Sequence, residues 1–294
     1  MDVSIRRHGG YAIGIALIFA ATVCWSTAGL FVRAMPPMTG WQINGGRALF
    51  AAFFMMIWLV LLHGRRLPVL YRTIPKPALL GFAAQFTIGS TMYALALTLA
   101  PVANVACIGA ISPVLTAVIA SLTLGERTTA ATWIAAAFAL SGMVFIVGDG
   151  LDTTYWPGNL LALGAVSCWS VQAVILRGYA QYDLMPGIVI AGLATFLVAA
   201  IVNQGFEIPS NAMLPLALMG LLQLTVPIIL FARGARYVSA VTASLVLLLD
   251  AVFNPLWAFL GVGEVPSLST AIGGAIIVVG VTINILAGSR TGAS

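Results

Sequence analysis

Asp250 is the residue that first calls for a chemical explanation. It lies in SLVLLLDAVFNPLWAFLG, residues 244–261, with no basic residue within ten positions on either side. A carboxylate at the centre of a membrane helix costs about 2.5–3.5 kcal/mol on insertion scales, so a residue without a role would be easily lost to leucine. Two chemistries would justify it: holding a substrate ammonium, or binding and releasing a proton. The structural alternative is a protonated Asp bonded to a neighbouring helix. Asn254 and Trp257 follow at four and seven residues, on the same helical face. Pro255 has no N–H and frees the carbonyl of Ala251, so a kink beside Asp250 is expected.

A second polar group opens another apolar run with Trp41, Asn44 and Arg47. Arg47 falls about two turns inside that run, so it either snorkels to the surface or meets an anion such as a substrate carboxylate. With Asp250 in the same cavity, the site would have the polarity of an amino acid. Other candidates are Thr22, Trp25 and Gly29 on one face of the first run, and Trp169 with Gln172 in the sixth. Gln85, Gln223 and Tyr93 lie near mid-depth, and Ser112 with Pro113 stands in the fourth run, where the proline would free the Gly109 carbonyl. A lone buried Gln is usually helix-to-helix glue; polar amides converging on several spans suggest a cavity. Trp25, Trp169 and Trp257 either pack the core or form a box for an aliphatic or cationic group.

The elements that must position these residues are membrane spans. Of 294 residues, 61% are hydrophobic and 7% charged, against about 25% charged in soluble domains. Punctuation by Pro, Gly and charge gives ten apolar segments: 11–33, 40–62, 78–99, 101–123, 130–148, 158–179, 187–203, 214–235, 238–260 and 270–288. The first is too long for a signal core of about 7–15 residues and is expected to remain as a span. The connections leave no room for a soluble domain.

Two sequence offsets expose a repeat. Cys24-Trp25-Ser26 recurs as Cys168-Trp169-Ser170 and Arg33 as Arg177, both at an offset of 144. Gln85-Phe86-Thr87 recurs as Gln223-Leu224-Thr225, Leu124-Gly125-Glu126 as Val262-Gly263-Glu264, Thr132 as Thr270 and Gly142 as Gly280, all at 138. The offset falls because the basic loop expected over 63–77 is longer than its counterpart near 203–213. On the second offset Asp250 corresponds to Ser112. The halves are 1–150 and 151–294, with five spans each. Five is odd, so the second half enters the membrane upside down. Such inverted repeats surround a midplane site and rock between inward-open and outward-open states.

With both termini cytoplasmic, 11 of the 13 basic residues fall on the cytoplasmic side, and only Arg33 and Arg47 fall toward the outside. Asp149, Asp152, Glu207 and Glu264 then lie outside.

The net charge of +5 gathers at helix ends rather than in a stripe, which argues against a nucleic-acid partner. Cys24, Cys107 and Cys168 all lie in apolar runs and suggest packing, not a disulfide framework. No Walker loop is present, and Lys76, the single lysine, is expected in a loop, so neither direct ATP drive nor a Schiff base is expected. His8 and His63 lie outside the spans, which leaves no basis for an intramembrane enzyme or a metal centre. No cofactor is expected. Gly10 and Gly14 form a small-xxx-small pair, a weak dimer signal.

The opening segment AATVCWSTAGLFVR, the arginine in GGRALF, and ISPVLTAVIASLTLGERTT with its second copy LLLDAVFNPLWAFLGVGE together resemble the EamA type of the drug/metabolite transporter superfamily. The resemblance covers nearly the whole chain. It differs in Asp250-Ala251, where that family usually has Glu-Pro. The resemblance implies a secondary carrier for small metabolites in a bacterial inner membrane, often an exporter of amino acids or related compounds. It implies a cavity between the halves to which spans four and nine contribute Ser112 and Asp250. The expected partners are a small-molecule substrate, the lipid bilayer and a coupling proton or other ion. An importer of the same fold is the alternative; a channel and a receptor are less favoured, the latter for want of an output domain.

Overall fold

The computed structural model describes residues 3–27, 31, 35–100, 105, 108–147, 155–205, 207–262 and 268–291. Gly29, Arg33, Cys107, Asp149, Asp152 and Glu264, singled out above, lie outside the described residues. Among those described there is helix and no strand, as a bilayer demands of a chain that is not a closed barrel.

The first repeat comprises α1 (Val3–Ser26), α2 (Gly40–His63), a short α3 (Leu67–Thr73), α4 (Lys76–Leu99), α5 (Ser112–Leu124) and α6 (Ala130–Val147). The second comprises α7 (Trp156–Gly178), α8 (Pro186–Val202), α9 (Met213–Met219), α10 (Val226–Gly234), α11 (Ala240–Leu247), α12 (Asp250–Val262) and α13 (Leu268–Thr291). Five described segments are long and apolar enough to cross a membrane: Gly40–Thr73, Lys76–Ala96, Trp156–Gly178, Ser210–Gly234 and Leu268–Ala287. The shorter apolar helices supply the remaining spans. The chain is an all-α integral membrane protein of ten spans in two inverted five-helix repeats.

Local signals account for several boundaries. Thr39 caps α2: its Oγ1 accepts from the Gln42 N–H at 3.2 Å, while the Gln42 side chain accepts from the Thr39 N–H at 2.9 Å. Ser239 caps α11 through Thr242 N–H. The basic segment 63–77 is not all loop. It folds into a turn at Gly64–Arg66 followed by α3, and Lys76 opens α4.

The helices pair as the repeat requires. The heaviest packing joins α6 to α13, α2 to α8, α4 to α7, and α1 to α10. Exchanging the two halves maps the first two pairs onto themselves and the last two onto each other. The match reaches single atoms. A Cβ on Gly142 would lie 2.5 Å from Gly273 O, and one on Gly280 would lie 2.9 Å from Ala135 O. Gly142 and Gly280 are repeat partners, and so are Ala135 and Gly273. Thr87 Oγ1 donates to Ala191 O in α8, and its counterpart Thr225 Oγ1 donates to Ala51 O in α2.

Gly10 and Gly14 face inward. Added Cβ atoms would meet Tyr237 at 3.2 and 2.8 Å respectively, so this pair packs α1 within the chain.

Candidate functional site

Spans four and nine are discontinuous, and at equivalent places. The helix stops at Ala110–Ile111 ahead of Ser112, and at Leu248–Leu249 ahead of Asp250. Ile111 N–H donates to Ile108 O at 3.1 Å, and Leu249 N–H donates to Val246 O at 3.1 Å, the same bond one repeat later. Val114 N–H to Ile111 O recurs as Val252 N–H to Leu249 O, and Leu115 N–H to Ile111 O as Phe253 N–H to Leu249 O. Three-residue bonds tighten the chain there, and a new helix then begins. The break in span nine thus precedes Asp250, and α12 continues past Pro255. Losing one N–H does not end a membrane helix whose neighbours support it.

Asp250 therefore occupies the first turn of α12, where the helix dipole favours negative charge. Its second support is local: Asn254 Nδ2 donates to Asp250 Oδ2 at 2.9 Å and to the Asp250 carbonyl at 3.1 Å. The other carboxylate oxygen, Oδ1, is enclosed and accepts no hydrogen bond. The residue is half-buried.

Opposite charge comes from span two. Arg47 donates to Asn44 Oδ1 from Nη2 at 2.9 Å and from Nε at 3.3 Å. Asn44 is buried and its amide reaches Ser90 O of α4 at 3.5 Å. One turn further along α4, Tyr93 feels the charges of both Asp250 and Arg47. Its ring lies 5.1 Å from that of Trp169. Trp169 approaches α4 closely because Gly89 has no side chain: a Cβ there would lie 3.2 Å from the indole Nε1. Hydrogen bonds thus join Arg47 with Asn44 and Asn254 with Asp250, a ring contact joins Tyr93 with Trp169, and the three groups meet only through the electrostatic influence of Arg47 and Asp250 on Tyr93. Neither Arg47 nor Asp250 has an ion-pair partner among the described residues.

A second set gathers at the end of α1. Trp257 Nε1 donates to Ser26 Oγ at 2.8 Å, and Gln223 Nε2 reaches Thr27 Oγ1 at 3.4 Å. Gln223 is 1% exposed and its Oε1 accepts nothing. It sits in a π-helical turn, Gly220–Thr225, between α9 and α10, a geometry frequent at functional sites. Ser112 pairs with the buried Ser170: the hydroxyls are 3.5 Å apart, and Ser170 Oγ donates to Ser112 O at 3.3 Å.

The three tryptophans make their contacts separately. Trp25 packs on Phe231 at 5.8 Å, Trp169 on Tyr93, and Trp257 on Ser26. Gln172 is buried and Gln85 half-buried, and neither forms a hydrogen bond among the described residues.

Some participants escape a sequence reading focused on charge and aromatic rings. Ser26 and Ser170 end the repeated Cys-Trp-Ser, so the repeat itself marks them. In the buried network of Thr132, Asn284 and Thr242 the repeat marks only Thr132. Thr132 Oγ1 donates to Asn284 Oδ1 at 2.9 Å, and Asn284 Nδ2 donates to Thr242 Oγ1 at 3.1 Å. It fastens α6, α13 and α11 together.

Among known proteins, the EamA-like transporter family matches this chain twice, at residues 12–148 and 156–286. A Bacillus subtilis (strain 168) protein described as the uncharacterized transporter YdfC is 26% identical over 251 residues, which span 82% of this chain and 80% of that protein. One solved crystal structure has the same fold, with a TM-score of 0.80 at 23% identity, covering 95% of this chain and 98% of the other.

Proposed function

The chain belongs to the EamA-like transporter family, a family of membrane transporters, and on that premise we propose that it is a secondary active exporter of a small zwitterionic or cationic metabolite, an amino acid or a related compound. The observation that carries the reading is the enclosed, unpartnered Oδ1 of Asp250 at the head of a broken helix. A carboxylate so placed is stabilised by a helix dipole and one amide, and still lacks a cation. A substrate ammonium or a coupling proton supplies it. Arg47, which shares the Tyr93 environment, takes the substrate carboxylate.

Asn254, Asn44, Tyr93, Trp169 and Ser112 border this polar pair. Trp25, Trp257, Gln85, Gln172 and Gln223 shape the path on either side. The halves 1–150 and 151–294 rock about this site in alternating access. The protein resides in a bacterial inner membrane with both termini cytoplasmic, which the distribution of Arg and Lys supports. No ATP and no cofactor enters the cycle.

The test is a thermal-shift screen of purified protein against amino acids, polyamines, osmolytes and nucleotide sugars, at pH 5.5 and 7.5. A ligand of the folded state raises the melting temperature by mass action. The expected result is a shift with an amine or amino acid that disappears in Asp250→Asn. A shift confined to nucleotide sugars, or one unchanged in Asp250→Asn, removes the substrate assignment.

A further inference from the structure

We propose that Arg177 and Glu126 form a latch that fastens the ends of α5, α7 and α10 at the cytoplasmic face, and that this latch opens once in every transport cycle. The inference rests on the carrier reading above. Arg177 stands in the last turn of α7, in the second half, and its Nε donates to Glu126 Oε1 at 2.9 Å. Glu126 follows α5 in the first half. The same guanidinium donates from Nη1 to Arg236 O at 3.0 Å and to Ala235 O at 3.4 Å. These carbonyls close α10, where a helix has acceptors without partners. One side chain thus joins three helix ends.

The backbone is shaped for this meeting. Gly125 ends α5 with φ +66° and turns Glu126 out of the helix. Gly178 lets the end of α7 lie against Leu124, whose Cδ2 is 2.9 Å from where a Cβ would be. The neighbouring Arg177 is thereby carried to Glu126. A second polar contact, His63 Nε2 with Asp183 Oδ2 at 3.3 Å, also crosses the halves at this end.

The heaviest packing joins the two halves along their length, so what a carrier parts at each face in turn is the ends of its helices, and an ion pair that joins those ends is broken in the state open to that face. The Arg177–Glu126 pair suits a repeated cycle because it is half-buried. Such pairs are worth little more than thermal energy, so they bias an equilibrium without locking it. The repeat keeps the same two residue types at the related positions Arg33 and Glu264.

The test reads distance without substrate, so it is separate from any result on binding or exchange. Full-length protein in liposomes carries spin labels at exposed positions Arg127 and Gln181, with Cys24, Cys107 and Cys168 replaced by alanine. Glu126→Gln should raise the ratio of long to short distances roughly fivefold, the shift expected for loss of a half-buried pair. Arg177→Lys keeps the charge and loses the carbonyl bonds, and should give a smaller rise in the same direction. Melting temperatures within a few degrees of the parent separate opening from unfolding. An unchanged distance distribution in either stably folded variant overturns the latch. So does a single distance in all samples.

Discussion

At the scale of residues, the proposed site is defined by what is left unsatisfied. Asp250 Oδ2 has its amide donor, and Oδ1 has none although it is enclosed. An unpartnered buried acceptor costs about 1–3 kcal/mol, more when charged, so a ligand that brings a donor regains that free energy on binding. Arg47 differs: its Nε and Nη2 both donate to one neutral amide oxygen, that of Asn44. An amide accepts the bond and leaves the positive charge uncompensated. The two residues therefore make separable demands. Arg47→Gln should weaken amino acids at least about tenfold, the loss of a charge-assisted bond, while amines lacking a carboxylate keep their affinity. Isothermal titration of a matched amino acid and amine pair checks this. Equal losses for both ligands would place Arg47 in the fold rather than at the substrate.

At the scale of elements, much of the architecture was legible because it follows from composition and periodicity. Ten apolar runs predict ten spans, and the two offsets predict which spans correspond. The carboxylate in span nine was visible for the same reason, as a charge where lipid-compatible sequence excludes one. The breaks before Ser112 and Asp250 were not legible. The prolines nearest them, Pro113 and Pro255, are not repeat partners, and only tertiary packing decides where a helix with a missing bond yields. The π-helical turn at Gln223 was hidden likewise, since its span reads as a uniform apolar run. Gly142 and Gly280 illustrate the opposite case: their repeat spacing drew attention, and their reason is the contact of α6 with α13. A Cβ at Gly142 meets backbone oxygen at 2.5 Å, and backbone cannot rotate away as a side chain does. Gly142→Val should lower stability by about 1–3 kcal/mol, as overpacking does, with Gly280→Val similar. Thermal unfolding in detergent checks both, and Gly40→Val, where an added Cβ meets nothing within 4 Å, is the control.

At the scale of the whole molecule, the pairing pattern decides what kind of motion is available. The contacts α6 with α13 and α2 with α8 each join equivalent elements of the two halves, so each lies across the axis that relates them. The contacts α4 with α7 and α1 with α10 exchange with one another under the same operation. A structure in which one half leans on the other at one face has, by this relation, a counterpart of similar contacts leaning at the other. Arg47 of α2 and Asp250 of α12 belong to different halves, as the proposed site of a rocking carrier requires. Movement of substrate then needs a return step, and the return is faster when a substrate occupies it. Unlabelled substrate added outside liposomes should therefore accelerate exit of labelled substrate several-fold over exit into empty buffer. A channel, open at both faces together, would release label at the same rate with or without external substrate, and that outcome would end the carrier reading while leaving the paired architecture intact.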